Sequence, residues 1–471
     1  METLNSIISS ANDFIWTYIV IGLLCLAGLY FTIRTRFVQL SLGEMFHLLK
    51  DSNHKSSSGK NISSFQAFCV SLASHVGVGN LSGVAIAIAI GGPAAVFWMW
   101  AIAVIGAASS FAECTLAQIY KQKAKDSFIG GPAYYMLYGI GRRWMGVLFA
   151  VLISIIFGFA YNSVQSNTVS SAMEHSFGIA PWIMGVILAA VTLIVIFGGI
   201  QRIAHISSLI VPVMALLYIA VAIYIVTCNI TMFPRVISEI FAGAFGVEQF
   251  AGGALGAGVM QGIRRGLFSN EAGEGSTPNA AATASVSHPV KQGLIQALGV
   301  FTDTLLICSC TAFIILVADV PLDGSITGIQ LTQVAIDKYM GGVGHIFIAL
   351  CILLFAFSSI IGNYYYGEAN IKFITSRPIY LTIYRIAVGA MVFMGSILTL
   401  DLAWGLADIT MALMTTVNLV AILLLSRVVF IVLKDYRKQK KQGVKSPTFS
   451  TRTLTDAGID TRGIHWDEIK E

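Results

Sequence analysis

The run Ser74-His75-Val76-Gly77-Val78-Gly79-Asn80-Leu81-Ser82-Gly83 interrupts a stretch, Ser64 to Ile90, that is otherwise apolar and long enough to cross a bilayer. Two glycines flanking a valine are poor material for a continuous helix. Backbone that leaves the helical pattern in hydrocarbon must find protein, water or a ligand for its N–H and C=O groups. A broken span is how many secondary transporters build a binding site at the membrane midplane. A second chemical opportunity lies at Phe355-Ala356-Phe357-Ser358-Ser359, followed by Gly362-Asn363. The two hydroxyls either bond back to the preceding turn or, with carbonyl oxygens, ligate a hard cation such as Na⁺. Ser359 and Asn363 are four residues apart and share one helix face.

Carboxylates inside apolar runs are few: Glu113, Asp303 and Glu368. An intramembrane carboxylate costs several kcal/mol unless paired or hydrated, which makes each a functional candidate. Asp303, beside Thr302 and Thr304, reads as a coupling, gating or site-supporting group, or as a structural hydrogen-bonding partner of neighbouring helices. Glu113 and Glu368 read as structural or gate residues. Asn162, Gln165 and Asn167 add amides that do not share one narrow stripe, so one or two of them face a site. His75 either titrates and links the protein to pH or is a hydrogen-bonded structural residue at the break. A second glycine-interrupted region runs from Gly252 through Gly258, Gln261 and Gly262 to Ser269-Asn270-Glu271-Ala272-Gly273-Glu274-Gly275-Ser276.

The elements that must position these groups are membrane helices. The chain is 56% hydrophobic and only 11% charged, where a soluble protein carries roughly a quarter charged residues. Apolar runs of about 20 residues give about eleven spans, near 14–33, 65–90, 93–120, 144–168, 182–200, 206–228, 250–270, 292–317, 343–371, 379–400 and 403–433. One set of connecting loops holds Arg34, Arg36, Lys50, Lys121, Arg142, Arg202, Arg264, Arg265, Lys291, Lys372, Arg377 and the tail from Lys434; the other holds Arg235 and Lys338. That asymmetry predicts a cell-membrane protein with its N-terminus outside and its C-terminus inside. The net charge of +5 therefore reflects topology and no nucleic-acid partner is expected. Lys434–Lys445 reads as a solvated juxtamembrane face. The order of charges around the first span is the reverse of a signal peptide's, so that span is expected to be retained. The seven cysteines have no metal or disulfide spacing, and no Gly-x-Ser-x-Gly or His-Glu-x-x-His motif points to an enzyme.

If the first span is peripheral, the two interrupted regions open two sets of five helices of opposite topology, the pattern of an inverted-repeat transporter. Small glycines that merely let helices approach are the alternative. The expected fold is all-α and polytopic. Residues 1–62 form a peripheral helix and linker, 63–230 a first five-helix repeat, 231–433 a second and inverted one, and 434–471 a tail.

The chain closely resembles the alanine or glycine:cation symporters within the amino acid–polyamine–organocation superfamily. The matching stretches are Gly77-Val78-Gly79-Asn80-Leu81-Ser82-Gly83, Gly91-Gly92-Pro93, Gly130-Gly131-Pro132-Ala133-Tyr134-Tyr135, Arg265-Gly266-Leu267-Phe268-Ser269-Asn270-Glu271-Ala272-Gly273 and Tyr365-Tyr366-Gly367-Glu368. The resemblance implies a leucine-transporter-type inverted repeat, Na⁺ coupling, a small neutral amino acid as substrate and no organic cofactor. It implies N–H groups near Gly77 and Gly79 aimed at a substrate carboxylate, with Asn80 supporting the break or a cation. It also implies a sodium site from Ser358, Ser359 and the Ala73 and Val76 carbonyls, and backbone near Gly258–Gly262, beside Gln261, for the substrate amine. Ser269, Asn270 and Glu271 look like gate or break-stabilising groups. Two departures stand out. Val78 replaces a residue that is often a hydroxyl-bearing one, and Asn363 replaces a tryptophan found in many members. The smaller amide predicts a wider polar pocket, with glutamine favoured and alanine or glycine possible. A proton-coupled symporter and, from another class, a channel are the alternatives; pore-lining charge rings and filter repeats are not evident.

Overall fold

The computed structural model describes residues 10–52, 62–124, 127–245, 254–322 and 326–466. Among these the chain is almost entirely helical, apart from a short antiparallel pair of strands, β1 (Gln122–Lys123) and β2 (Phe128–Ile129). In chain order the helices are α1 (Ser10–Arg34), α2 (Leu42–Ser52), α3 (Ser64–His75), α4 (Gly79–Gly91), α5 (Ala94–Ile119), α6 (Pro132–Tyr138), α7 (Arg143–Phe177), α8 (Pro181–Ile196) and α9 (Gly199–Cys228). They continue as α10 (Phe233–Phe245), α11 (Ala254–Asn270), α12 (Thr277–Ala281), α13 (Pro289–Ala318), α14 (Gly328–Met340), α15 (Gly344–Ile374), α16 (Pro378–Ile397), α17 (Leu400–Leu424), α18 (Ser426–Lys441) and α19 (Arg452–Thr455).

Eight described helical segments are long and apolar enough to cross a membrane, and α3 with α4 forms one further span bent by 46°. The bend falls where Gly77 and Gly79 sit in the sequence. At the start of α3, the Ser63 hydroxyl accepts the Gln66 N–H and the Gln66 side chain accepts the Ser63 N–H. This reciprocal cap satisfies two orphan donors. The broken pair lies at the centre of the bundle: α3 packs against α9 and α15, and α4 packs against α11.

Four sequence expectations need correction. The expected fifth span, 182–200, is shorter than read: α8 is an apolar helix of 16 residues that ends at Ile196. The expected last span ends at Leu424, since 25 residues of α17 already cover about 37 Å; α18 is a separate helix. The tail is not simply solvated. The lysines of α18 face outward, but Val432, Leu433 and Tyr436 are buried, and so are Phe449, Leu454 and Trp466 beyond it. The Phe449 N–H donates to the Ser287 carbonyl (2.9 Å), Gln122 donates to the Gly463 carbonyl (3.0 Å), and Trp466 Nε1 donates to the Phe449 carbonyl (3.1 Å). Finally, Arg264 and Arg265 are not loop residues: both lie buried within α11. Arg264 reaches Asp13, near the start of α1, so these arginines lie away from the basic end of the bundle, where Arg34, Lys121 and Lys291 cluster with the tail.

Candidate functional site

At the first break the helix stops with the Val76 N–H donating to Leu72. The next two N–H groups turn to side chains: Gly77 donates to Asn80 Oδ1 (2.8 Å) and Val78 to Gln165 Oε1 (3.1 Å). Asn80 and Gln165 thus hold the break open and cover the N–H groups that the sequence assigns to a carboxylate. A Cβ on Gly77 would overlap Ser359 Oγ and press on Gln165, so only glycine fits here. Ser359 Oγ donates to the Ala73 carbonyl (2.9 Å) and lies 3.5 Å from the Val76 carbonyl. Three oxygens from two helices therefore converge beside Gly77. Ser358 does not join them: its hydroxyl donates to Phe355 and faces Met214 Sδ.

The second break falls at the end of the glycine-interrupted region that runs from Gly252 to Ser276. α11 runs unbroken from Ala254 to Asn270, and the chain unwinds over Glu271–Ser276. Glu271, Gly273 and Gly275 have φ of 53°, 88° and 91°, in the left-handed region where glycine is favoured. The expected role of Gly258 and Gly262 is therefore corrected. A Cβ on Gly258 would press on Gly91 and Ala94, and one on Gly262 on Ala95 and Trp98. These glycines allow close helix approach, and carbonyls inside a continuous helix are already bonded. Gln261 lines a cavity of about 420 Å³ near Asn12, Arg264, Trp404 and Asp408 instead of the central break.

Side chains from neighbouring helices satisfy the unwound strand. The Gly273 N–H donates to Glu113 (3.2 Å), whose other oxygen accepts from Asn418 (2.7 Å); Asn418 also donates to the Gly273 carbonyl (2.9 Å). The Ala272 N–H donates to Asn270 Oδ1 (3.0 Å), and Asn270 donates to Thr304 (3.0 Å). Glu274 accepts from Tyr161 (2.7 Å).

Asp303 ties the two breaks together. One carboxylate oxygen accepts from Asn80 (2.6 Å), the other from Ser269 (2.7 Å) and Thr304 (2.9 Å). Glu271 accepts from Ser276 and is 2.5 Å from Ser74 Oγ, which lies 2.7 Å from Asn363 Oδ1; Asn363 in turn donates to Asn162 (3.1 Å). His75 Nε2 contacts Thr277 (2.9 Å). Asn167 lies elsewhere, donating to Gly395 and Leu398, and Glu368 pairs with Lys372 and Arg385.

Above Ser269 a roof of side chains separates the breaks from the cavity. Tyr161 packs on Phe268, Phe268 on Trp404, and the Arg265 guanidinium lies 4.4 Å over the Trp404 ring while pairing with Asp408. Sequence reasoning missed Ser74, Ser276, Asn418 and the Arg265–Asp408 pair. A signal for the last existed, since Asp408 is a charge inside an apolar run.

The model of the sodium:alanine symporter family matches residues 1–451. A probable sodium/glutamine symporter, GlnT, of Bacillus subtilis (strain 168) is 55% identical over 95% of this chain and 94% of its own. The amino-acid carrier protein AlsT of the same organism is 51% identical over 99% of each chain. The sodium/alanine symporter AgcS of Methanococcus maripaludis is 35% identical over 94% of this chain and 99% of its own. Among solved structures, MhsT in complex with L-phenylalanine superposes with a TM-score of 0.57 at 15% identity, over 86% of this chain and 95% of that one. The fold is that of the leucine-transporter type, built on broken helices, and the chain belongs to the sodium:alanine symporter family.

Proposed function

We propose that this protein is a sodium-coupled symporter that imports a small neutral amino acid across the cell membrane by alternating access. The observation that carries the reading is the convergence of Ser359 Oγ with the Ala73 and Val76 carbonyls beside the Gly77 break. Hard oxygen donors without a carboxylate suit a monovalent ion that must be released again. A substrate carboxylate takes the N–H groups of Gly77 and Val78 when Gln165 and Asn80 let go of them; a carboxylate is the stronger acceptor. Asp303 bridges Asn80 and Ser269 and so couples the two breaks. The basic end faces the cytoplasm, and residues 63–230 and 231–433 form the two inverted repeats.

Glutamine is the favoured substrate. Asn363 sits one hydrogen bond from Ser74 at the first break, is much smaller than an indole and presents an amide able to donate and accept. The likeness to a relative named for sodium and glutamine supports this choice. The test is uptake of labelled glutamine and labelled alanine into liposomes containing the purified protein, with and without an inward Na⁺ gradient. Na⁺-dependent accumulation with glutamine preferred is the expected result, and Asn363→Trp should shift the preference towards alanine. Alanine uptake alone would keep the mechanism and remove the pocket argument. Accumulation indifferent to Na⁺ would sink the sodium reading.

A further inference from the structure

Counting hydrogens along the buried chain Gly158–Asn162–Asn363–Ser74–Glu271 leaves one proton unaccounted for. The Gly158 carbonyl can only accept, so Asn162, 3.3 Å away, must present its NH₂ group to it. The Asn162 carbonyl then faces Asn363, which donates its own NH₂ group (3.1 Å). The Asn363 carbonyl consequently points at Ser74 Oγ (2.7 Å) and takes the single hydroxyl hydrogen of that serine. Glu271 Oε1 lies 2.5 Å from the same Ser74 oxygen, which has no hydrogen left to give. Two bare acceptors do not share such a contact, so the hydrogen between them belongs to Glu271. Asn162, Asn363, Ser74 and Glu271 are all buried.

The surroundings fit a neutral carboxyl group. His75, facing from α3, has its Nε2 3.7 Å from Glu271 but bonded to Thr277, and its Nδ1 has no partner. A doubly protonated ring would leave a buried N–H unmet. The other titratable groups around Glu271 are acids and phenols: Glu113 from α5, Tyr161 from α7, Asp303 from α13, Tyr366 from α15 and Glu274 on the same unwound strand. Arg265 is committed to Asp408.

We propose that Glu271 is a proton-binding site, loaded in this conformation through a hydrogen bond from its carboxyl O–H to Ser74 Oγ, and that the proton is bound and released during the transport cycle. The step is simple: the carboxylate gains one proton from water and returns it when Ser74 and Glu271 part as the two broken helices move. The site lies next to Asn363, so proton occupancy and substrate selection share one hydrogen-bonded chain. Its place in a cycle rests on the symport reading; its protonation does not.

The experiment is infrared spectroscopy of the reconstituted protein, combined with the pH profile of uptake. The carbonyl stretch of a protonated carboxyl group should vanish in Glu271→Gln and persist in Glu113→Gln, Glu274→Gln and Asp303→Asn. In Ser74→Ala it should move to higher frequency because the O–H loses its acceptor, which provides a readout should Glu271→Gln fail to fold. Glu271→Gln places an N–H where the carboxyl O–H was and should remove the pH dependence of uptake. A band unchanged in both Glu271→Gln and Ser74→Ala, or a wild-type pH profile in Glu271→Gln, would overturn the proposal. If the wild-type protein accumulates no amino acid at all, the symport reading falls while the infrared result still decides the protonation.

Discussion

Gly77 carries more of the site than its size suggests. Its missing side chain is the space in which Ser359 Oγ and the Gln165 amide sit. Gly77→Ala should therefore abolish Na⁺-dependent uptake while the protein still reaches the membrane, a result that uptake assays paired with size-exclusion profiles would check. Ser359 is the more graded probe. Losing one hydroxyl among a few oxygen ligands removes about 1–2 kcal/mol of cation affinity, so Ser359→Ala should raise the half-saturating Na⁺ concentration about five- to thirtyfold. The Ser358 and Ser359 hydroxyls both lie near the Phe355 carbonyl, but only Ser359 reaches Ala73 and Val76, so Ser358→Ala, whose hydroxyl faces Met214 instead, should leave that concentration nearly unchanged. A cation titration of the two variants side by side separates these outcomes.

At the scale of elements, the second break is held by helices remote in sequence. Asn418 of α17 bonds both Glu113 of α5 and the backbone of Gly273, and Tyr135 donates to it from α6. Asn418→Ala would strand a buried carbonyl and a buried carboxyl group, which costs about 1–3 kcal/mol for each unmet polar group. The expected result is a lower melting temperature in detergent, with uptake impaired more than substrate affinity because the unwound strand loses its fixed shape. This arrangement also marks the limit of what was legible. The first break could be placed from Gly77 and Gly79, since its cause is local. The sequence narrows the second only to Gly252–Ser276, because Gly258–Gly262 and Gly273–Gly275 are alike in composition, and only tertiary packing separates a close helix contact from an unwound strand. Arg265 is illegible for the same reason: its partner lies 143 residues away, and charge alone points to a loop.

Across the whole molecule, charge and tail packing meet at Lys121. Its ammonium group donates to Gln118 and to the Ala284 carbonyl, and it lies 4.2 Å over the Phe128 ring and 4.9 Å over that of Trp466. Burial pulls its pKa down from 10.5 to about 7. Between those values the unfolded chain binds the extra proton, so stability rises with pH across that window. The contribution is complete only above the unfolded value and is lost as pH falls towards 7. The melting temperature of the wild-type protein should therefore rise relative to that of Lys121→Met between about pH 7 and pH 10, a difference that thermal scans at several pH values would reveal. The tail that brings Trp466 to this lysine also joins the strand pair near Gln122 to the connection around Ser287, spanning parts of both proposed repeats.

The roof over the breaks has a consequence of a different kind. Trp404 is one of seven tryptophans, and its ring lies against both the Arg265 guanidinium and the Phe268 ring, which are also neighbours of each other. Opening the roof would take the cation and the Phe268 ring away from the indole and admit water in their place, both of which alter indole emission. The protein thus carries its own optical reporter of the roof: a variant retaining Trp404 alone would display any movement there as a change in colour and intensity, in real time and without an added dye.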